Sequence, residues 1–107
     1  MMQLTPIGSL TAMDPALRPF RAEGLSWCTL DEGGLIIDEQ ADRSWSLNPV
    51  GLFIWDHCDG CRDISQIEDD LVYVFGVDLQ TARRDLQAFM LDMEDRGLLS
   101  LSYPAAS

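Results

Sequence analysis

Residues 46–99, SLNPVGLFIWDHCDGCRDISQIEDDLVYVFGVDLQTARRDLQAFMLDMEDRGLL, carry the signals that decide the fold. They predict three consecutive helices, each with a start and a stop. Asn48 is an N-cap, and Pro49 supplies the preset φ of a first helical residue. Val50, Phe53 and Ile54 then share one face, and Gly60 ends the helix. Asp63 with Gln66 three residues on resembles a capping box for a second helix. Its core face is Ile64, Ile67, Leu71, Val74 and Phe75, and Gly76 stops it. Asp78 caps the third helix, where Leu79, Ala82, Leu86, Phe89, Met90 and Met93 form an apolar stripe up to Gly97. Leu98 and Leu99 follow as residues that pack back on the core.

Working outward, the segment before Asn48 reads as strands. Residues 25–30 alternate large and small side chains, and Asp31-Glu32-Gly33-Gly34 forms a turn before a second strand at 35–37. A polar turn over 38–42 leads into Arg43-Ser44-Trp45-Ser46-Leu47, with Trp45 and Leu47 on one face and the serines on the other. The expected fold is α+β, a three-stranded antiparallel sheet followed by three helices. The short turn at 75–78 makes it winged helix-turn-helix-like. Pro6, Gly8, Pro15 and Pro19 mark residues 1–19 as a flexible N-terminal arm. Residues 20–100 form the domain, and 101–107 a frayed tail.

A chain of 107 residues is one small domain. Its 18 acidic residues face 7 basic ones, all arginine, for a net charge of −11. A nucleic-acid binder needs a basic face, so nucleic acid is disfavoured, as are anionic membrane surfaces. Positively charged peptides or protein surfaces are favoured, although charge also serves solubility alone. No signal peptide and no membrane-spanning run are visible. Three cysteines are an odd number for a disulfide scaffold. A reduced, cytoplasmic protein is the expectation.

Candidate chemistry is sparse. Cys58-Asp59-Gly60-Cys61 has the spacing of a redox pair or half a zinc site. Redox pairs of the thioredoxin kind sit at a helix N-terminus, whereas Cys58 falls at a C-terminus. Zinc wants four ligands, and only His57, Cys58, Cys61 and distant Cys28 are on offer. Structural cysteines are the simpler reading, and His57 reads as a helix-end residue. Glu68, Asp69 and Asp70 fan apart on their helix by about 100° each, as a solvated face does. No nucleophile elbow or phosphate-cradling glycine loop is present, and no cofactor is implied. The strand at 43–47 is an edge whose free N–H and C=O groups an extended peptide can continue. The plainer alternative is an edge protected by charge or by the arm. An exposed edge also makes a homodimer by strand exchange conceivable.

Ser46-Leu47-Asn48, Gly51, Ile54-Trp55, Asp59-Gly60, Ile67, Leu71, Asp85, Phe89 and Arg96-Gly97-Leu98-Leu99, in that order and spacing, resemble the PqqD-like family. Its members are recognition elements for ribosomally synthesised, post-translationally modified peptides (RiPPs). The resemblance spans residues 20–100 and implies the same winged helix-turn-helix-like fold. It further implies a non-enzymatic adaptor that binds a precursor's leader segment as an added strand. The adaptor then presents it to a modifying enzyme, such as a radical S-adenosylmethionine enzyme, a cyclase or a leader peptidase. Mapped onto this chain, the implied peptide-binding strand is Arg43, Ser44, Trp45 and Ser46. The implied helix-three wall is Arg83, Leu86, Gln87 and Met90, with Arg83 available to an acidic leader residue. The competing functions are a winged-helix DNA-binding regulator and a zinc or redox module on Cys58 and Cys61.

Overall fold

The computed structural model describes residues 13–103. The chain runs through β1 (Arg18–Arg21), β2 (Ser26–Leu30), β3 (Gly33–Asp38) and β4 (Arg43–Leu47). It continues through α1 (Pro49–Asp56), α2 (Ile64–Phe75), α3 (Leu79–Asp95) and β5 (Leu99–Ser102). Strands β2, β3 and β4 form an antiparallel meander in that order, so β2 and β4 are both edges. The α+β arrangement of a three-stranded sheet followed by three helices is therefore present.

The helix starts follow from their caps. The Asn48 side chain accepts from Gly51 N–H at 2.7 Å, ahead of Pro49. Asp63 and Gln66 complete a reciprocal capping box at 2.9 Å in both directions. Asp78 accepts from Thr81 N–H at 2.7 Å, a bond that holds its carboxyl below the ordinary range. The first stop differs from expectation. α1 ends at Asp56, capped by His57, whose N–H reaches back to the Phe53 and Ile54 carbonyls. Gly60 instead belongs to the turn beyond, where its N–H donates to Pro19 O. Gly76 does close α2, with φ +70°.

One core joins the layers. Ile36 and Leu47 from the sheet meet Ile54 and Trp55 of α1, Ile67 and Leu71 of α2, and Leu86 and Met90 of α3. Trp55 is fully buried and meets the edge of Trp27 in β2, with ring centroids 5.7 Å apart. The Arg21 guanidinium lies 4.4 Å from the centre of the Trp27 ring and donates to Trp55 O at 2.8 Å.

The ends of the domain differ from the sequence reading. Residues 18 and 19, expected in the arm, begin β1, and residues 101 and 102, expected in the tail, complete β5. These two strands pair antiparallel, from Arg18↔Ser102 to Arg21↔Leu99. Pro15 and Leu17 also accept from the first N–H groups of α2, Ser65 to Pro15 O at 3.1 Å and Ile64 to Leu17 O at 2.9 Å. Buried backbone donors require such partners, so the segment ahead of β1 is tied to α2. Residues 1–12 and 104–107 lie outside the described part.

The glycine turn is also tighter than expected. Only Asp31 and Glu32 form the turn, and Gly33 and Gly34 belong to β3. Gly33 has φ +121°, and a Cβ there would meet Leu47 O at 2.0 Å. Backbone strain and overpacking each cost about 1–3 kcal/mol. Gly33→Ala is therefore expected to lower stability by roughly 2–6 kcal/mol. Urea unfolding measures this, and an unchanged midpoint would contradict the packing of β3 against the end of β4.

Candidate functional site: an open strand edge beside a groove

The free edge of β4 follows from its register. Leu30 and Gly33 flank the two-residue turn and pair across it. Bonded and non-bonded positions alternate along an antiparallel ladder. Gly33, Leu35 and Ile37 thus bond towards β2, and Gly34, Ile36 and Asp38 bond towards β4. The β4 partners of that second set are Leu47, Trp45 and Arg43. The N–H and C=O groups of Ser44 and Ser46 consequently point away from the sheet, available to another strand.

Side chains on β4 alternate as the sequence predicts. Trp45 is half-buried on the helix side opposite Ile36, and Leu47 is buried beyond it. Ser44 and Ser46 are exposed on the other face. Arg43 is exposed and places its guanidinium 4.9 Å from the centre of the Trp45 ring.

Where β4 ends, at Asn48, a groove of about 500 Å³ opens between α1 and α3. Its lining includes Val50, Gly51 and Ile54 from α1, and Asp85, Ala88, Phe89 and Asp92 from α3. Gly51 makes the close approach possible, since a Cβ there would lie 3.3 Å from Phe89 Cε1 and 3.6 Å from Leu47 Cδ2. Phe89 and the last residue of β4 therefore meet over the same glycine.

The helix wall expected from the sequence lies elsewhere. Leu86 and Met90 have 0% exposure and belong to the core. Arg83, Leu86 and Gln87 line a separate cavity of about 210 Å³ with Met13, Pro15, Ile64 and Glu68. There the Arg83 Nε donates to the nearly buried Glu68 carboxylate at 3.4 Å. The reason is helical geometry. At about 100° per residue, positions 83, 86, 87 and 90 point to one flank of α3, and 85, 88, 89 and 92 to the opposite one. Phe89 appeared in the sequence as one more member of the apolar stripe. The small residue at Gly51 was the signal that a ring is accommodated there.

The cysteines are set apart by their surroundings. Cys58 is buried, and its thiol donates to Ile54 O at 3.1 Å. Burial pushes that thiol up to about 12, with nearby Asp59 adding to the rise and Arg21 opposing it. Cys28 and Cys61 are exposed. Among the described residues, no three His, Cys, Asp or Glu side chains stand together as a metal site. Because the thiolate is the reactive form, a disulfide-exchange reagent at pH 8 is expected to titrate Cys28 and Cys61 at once and Cys58 only after unfolding. Rapid reaction of all three in the folded protein would revive the redox reading.

Along α3, Asp78, Asp85, Asp92, Glu94 and Asp95 outnumber Arg83, Arg84 and Arg96. That distribution is opposite to what a helix entering the major groove needs. No helix among the described residues is long and apolar enough to cross a membrane.

Known proteins share this architecture. The solved structure of TbiB1 in complex with the TbiA(beta) leader peptide superposes with a TM-score of 0.68 at 22% identity, covering 80% of this chain and 99% of that one. A lasso peptide synthetase B1 complexed with the leader peptide gives 0.67 at 19% identity, covering 79% and 98%. The solution structure of the PqqD truncation of Methylobacterium extorquens PqqCD, a stand-alone RiPP recognition element, gives 0.68 at 16% identity, covering 86% and 98%. At these identities the likeness is one of fold. No curated protein sequence gives a match. The family model for coenzyme PQQ synthesis protein D (PqqD) matches residues 33–99, from the start of β3 to the start of β5. With more than half its length matched, this chain belongs to the PqqD family.

Proposed function

We propose that this protein is a non-enzymatic adaptor for a ribosomally made precursor peptide. It binds the leader segment as an antiparallel strand added to β4 and presents the peptide to a modifying enzyme. The carrying observation is that the outward-facing Ser44 and Ser46 backbone groups belong to the strand that runs into Asn48, where the groove lined by Phe89 opens. Main-chain bonds at the edge supply affinity, and the groove selects side chains. Two of the structurally similar proteins were solved with leader peptides bound, which supports the reading. Arg43 and Trp45 frame one end of the added strand, and Asn48 with α3 frames the other.

The enzyme served is of the radical S-adenosylmethionine, cyclase or leader-peptidase kind, and the adaptor itself supplies no reacting group. Among the described residues β2 is the other edge of this sheet, and a strand-exchanged homodimer built on it would leave β4 free. Titration calorimetry against synthetic leaders of the small peptides encoded beside this gene tests the reading. One-to-one binding near a Kd of about 1 μM corresponds to roughly −8 kcal/mol. Absence of heat with every such peptide sinks it.

A further inference from the structure

The groove wall is chemically specific, and resting on the strand-addition reading, its occupant can be narrowed. We propose that the captured segment carries a basic residue, an apolar residue and a second basic residue at alternate positions, in the pattern basic-x-apolar-x-basic. Asp85 and Asp92 stand on the groove flank of α3 with Ala88 and Phe89 between them. Seven residues of helix separate the two carboxylates by about 10.5 Å along the axis. In an extended strand, side chains on one face repeat about every 6.8 Å. Positions i and i+4 are therefore about 13.6 Å apart, a mismatch that flexible Lys or Arg stems absorb. The side chain at i+2 then falls over Phe89 and the small surfaces of Ala88 and Gly51.

The countercharges already present are weak competitors. Arg96 Nε meets Asp92 at 3.0 Å across one helical turn, and both side chains are about half exposed. Arg84 comes no nearer than 3.9 Å to its neighbour Asp85, and its side chain is 76% exposed. Exposed pairs of this kind are easily exchanged for a ligand cation. Asp78, two turns before Asp85, extends the acidic line, although its carboxylate is engaged by Thr81 N–H. From residue 63 to 82 the chain contains acidic residues and no basic one. The field at this end of the groove thus attracts cations, and the net charge of −11 steers them in. On the strand, Ser44 and Ser46 are uncharged, and the one cation, Arg43, lies at the end away from Asn48 with its guanidinium 4.9 Å from the centre of the Trp45 ring, so beside the groove the sign of the preference is set by α3.

Fluorescence anisotropy with three labelled twelve-residue peptides tests this. They differ only in a central Lys-Thr-Leu-Thr-Lys, Gln-Thr-Leu-Thr-Gln or Glu-Thr-Leu-Thr-Glu. The lysine peptide is expected to bind at least about tenfold tighter than the glutamate peptide at low salt, with the gap closing as screening sets in. An Asp85→Asn, Asp92→Asn double variant should shrink the gap to about threefold or less, because both exposed carboxylates lose their charge without loss of shape. Equal affinity for the three peptides, binding of none of them, or an undiminished lysine preference in the double variant overturns the proposal. Strand addition is decided separately, by whether capture of a genuine leader depends on the Ser44 N–H.

Discussion

Ser44→Pro is expected to weaken leader capture by at least about tenfold while leaving the domain folded. The Ser44 N–H points away from β3, so proline removes no bond of the native ladder. Proline is tolerated on edge strands for this reason, and Arg43 before it is already extended, as a residue preceding proline prefers. In the complex the same N–H would donate to a leader carbonyl. Its loss removes a bond worth about 0.5–1.5 kcal/mol and leaves a buried acceptor unpaired at about 1–3 kcal/mol. Since 1.4 kcal/mol is tenfold, the combined effect is roughly tenfold to a thousandfold. Ser44→Ala keeps the N–H and should bind as the parent does. Calorimetry gives the affinities and thermal unfolding the control. A proline variant that binds normally would move the peptide away from β4.

A stability effect of comparable size to that at Gly33 is expected at Trp55. The ring is fully buried and touches both Trp27 and the helix layer. Truncating a buried Trp to Ala costs about 3–5 kcal/mol, against about 5–15 kcal/mol for a whole domain. At about 4–8 °C per kcal/mol for a domain of this size, Trp55→Ala should melt more than about 12 °C lower. Trp55→Phe separates two contributions. The indole Nε1 is buried without a hydrogen-bond partner among the described residues, and such an orphan costs about 1–3 kcal/mol. Phenylalanine removes the orphan but leaves a small cavity where the second ring was, so the two effects partly offset and its net cost should stay at about 1 kcal/mol. A loss well above about 1 kcal/mol in Trp55→Phe would show that relief of the orphan N–H has little weight.

The helices were legible because their signals are local. Asn48-Pro49, the Asp63–Gln66 box and the Asp78 cap each act within one turn, and all three form as the spacing predicts. The meander was legible for the same reason, through alternation and turn residues. The β1–β5 pair was not. Its strands are four residues each, Pro19 interrupts one of them, and Arg18 finds Ser102 across nearly the whole chain. No window of sequence contains that pairing.

The site was half legible. Strand periodicity placed Ser44 and Ser46 on one face and Trp45 on the other. The resemblance implied only the flank of α3 that carries Arg83, Leu86, Gln87 and Met90, whereas the flank lining the groove at Asn48 is the opposite one. Leu86 and Met90 are good pocket-lining residue types, but the core had first claim on them. Gly51, Asp85 and Phe89 stood in the sequence as landmarks of the resemblance, Phe89 also in the apolar stripe, and that they line one groove depends on how α1 packs on α3.

The β1–β5 ladder has an architectural consequence. Residues facing each other across an antiparallel pair lie about 4.5–5.5 Å apart, so the first and last strands bring Arg18 and Ser102 almost side by side. A unit with adjoining entry and exit can be spliced into a surface loop of a host protein without stretching either one. The open edge of β4 belongs to the other sheet and takes no part in that junction. A domain of this shape can therefore stand free, be fused at one end, or be carried inside a loop of another protein.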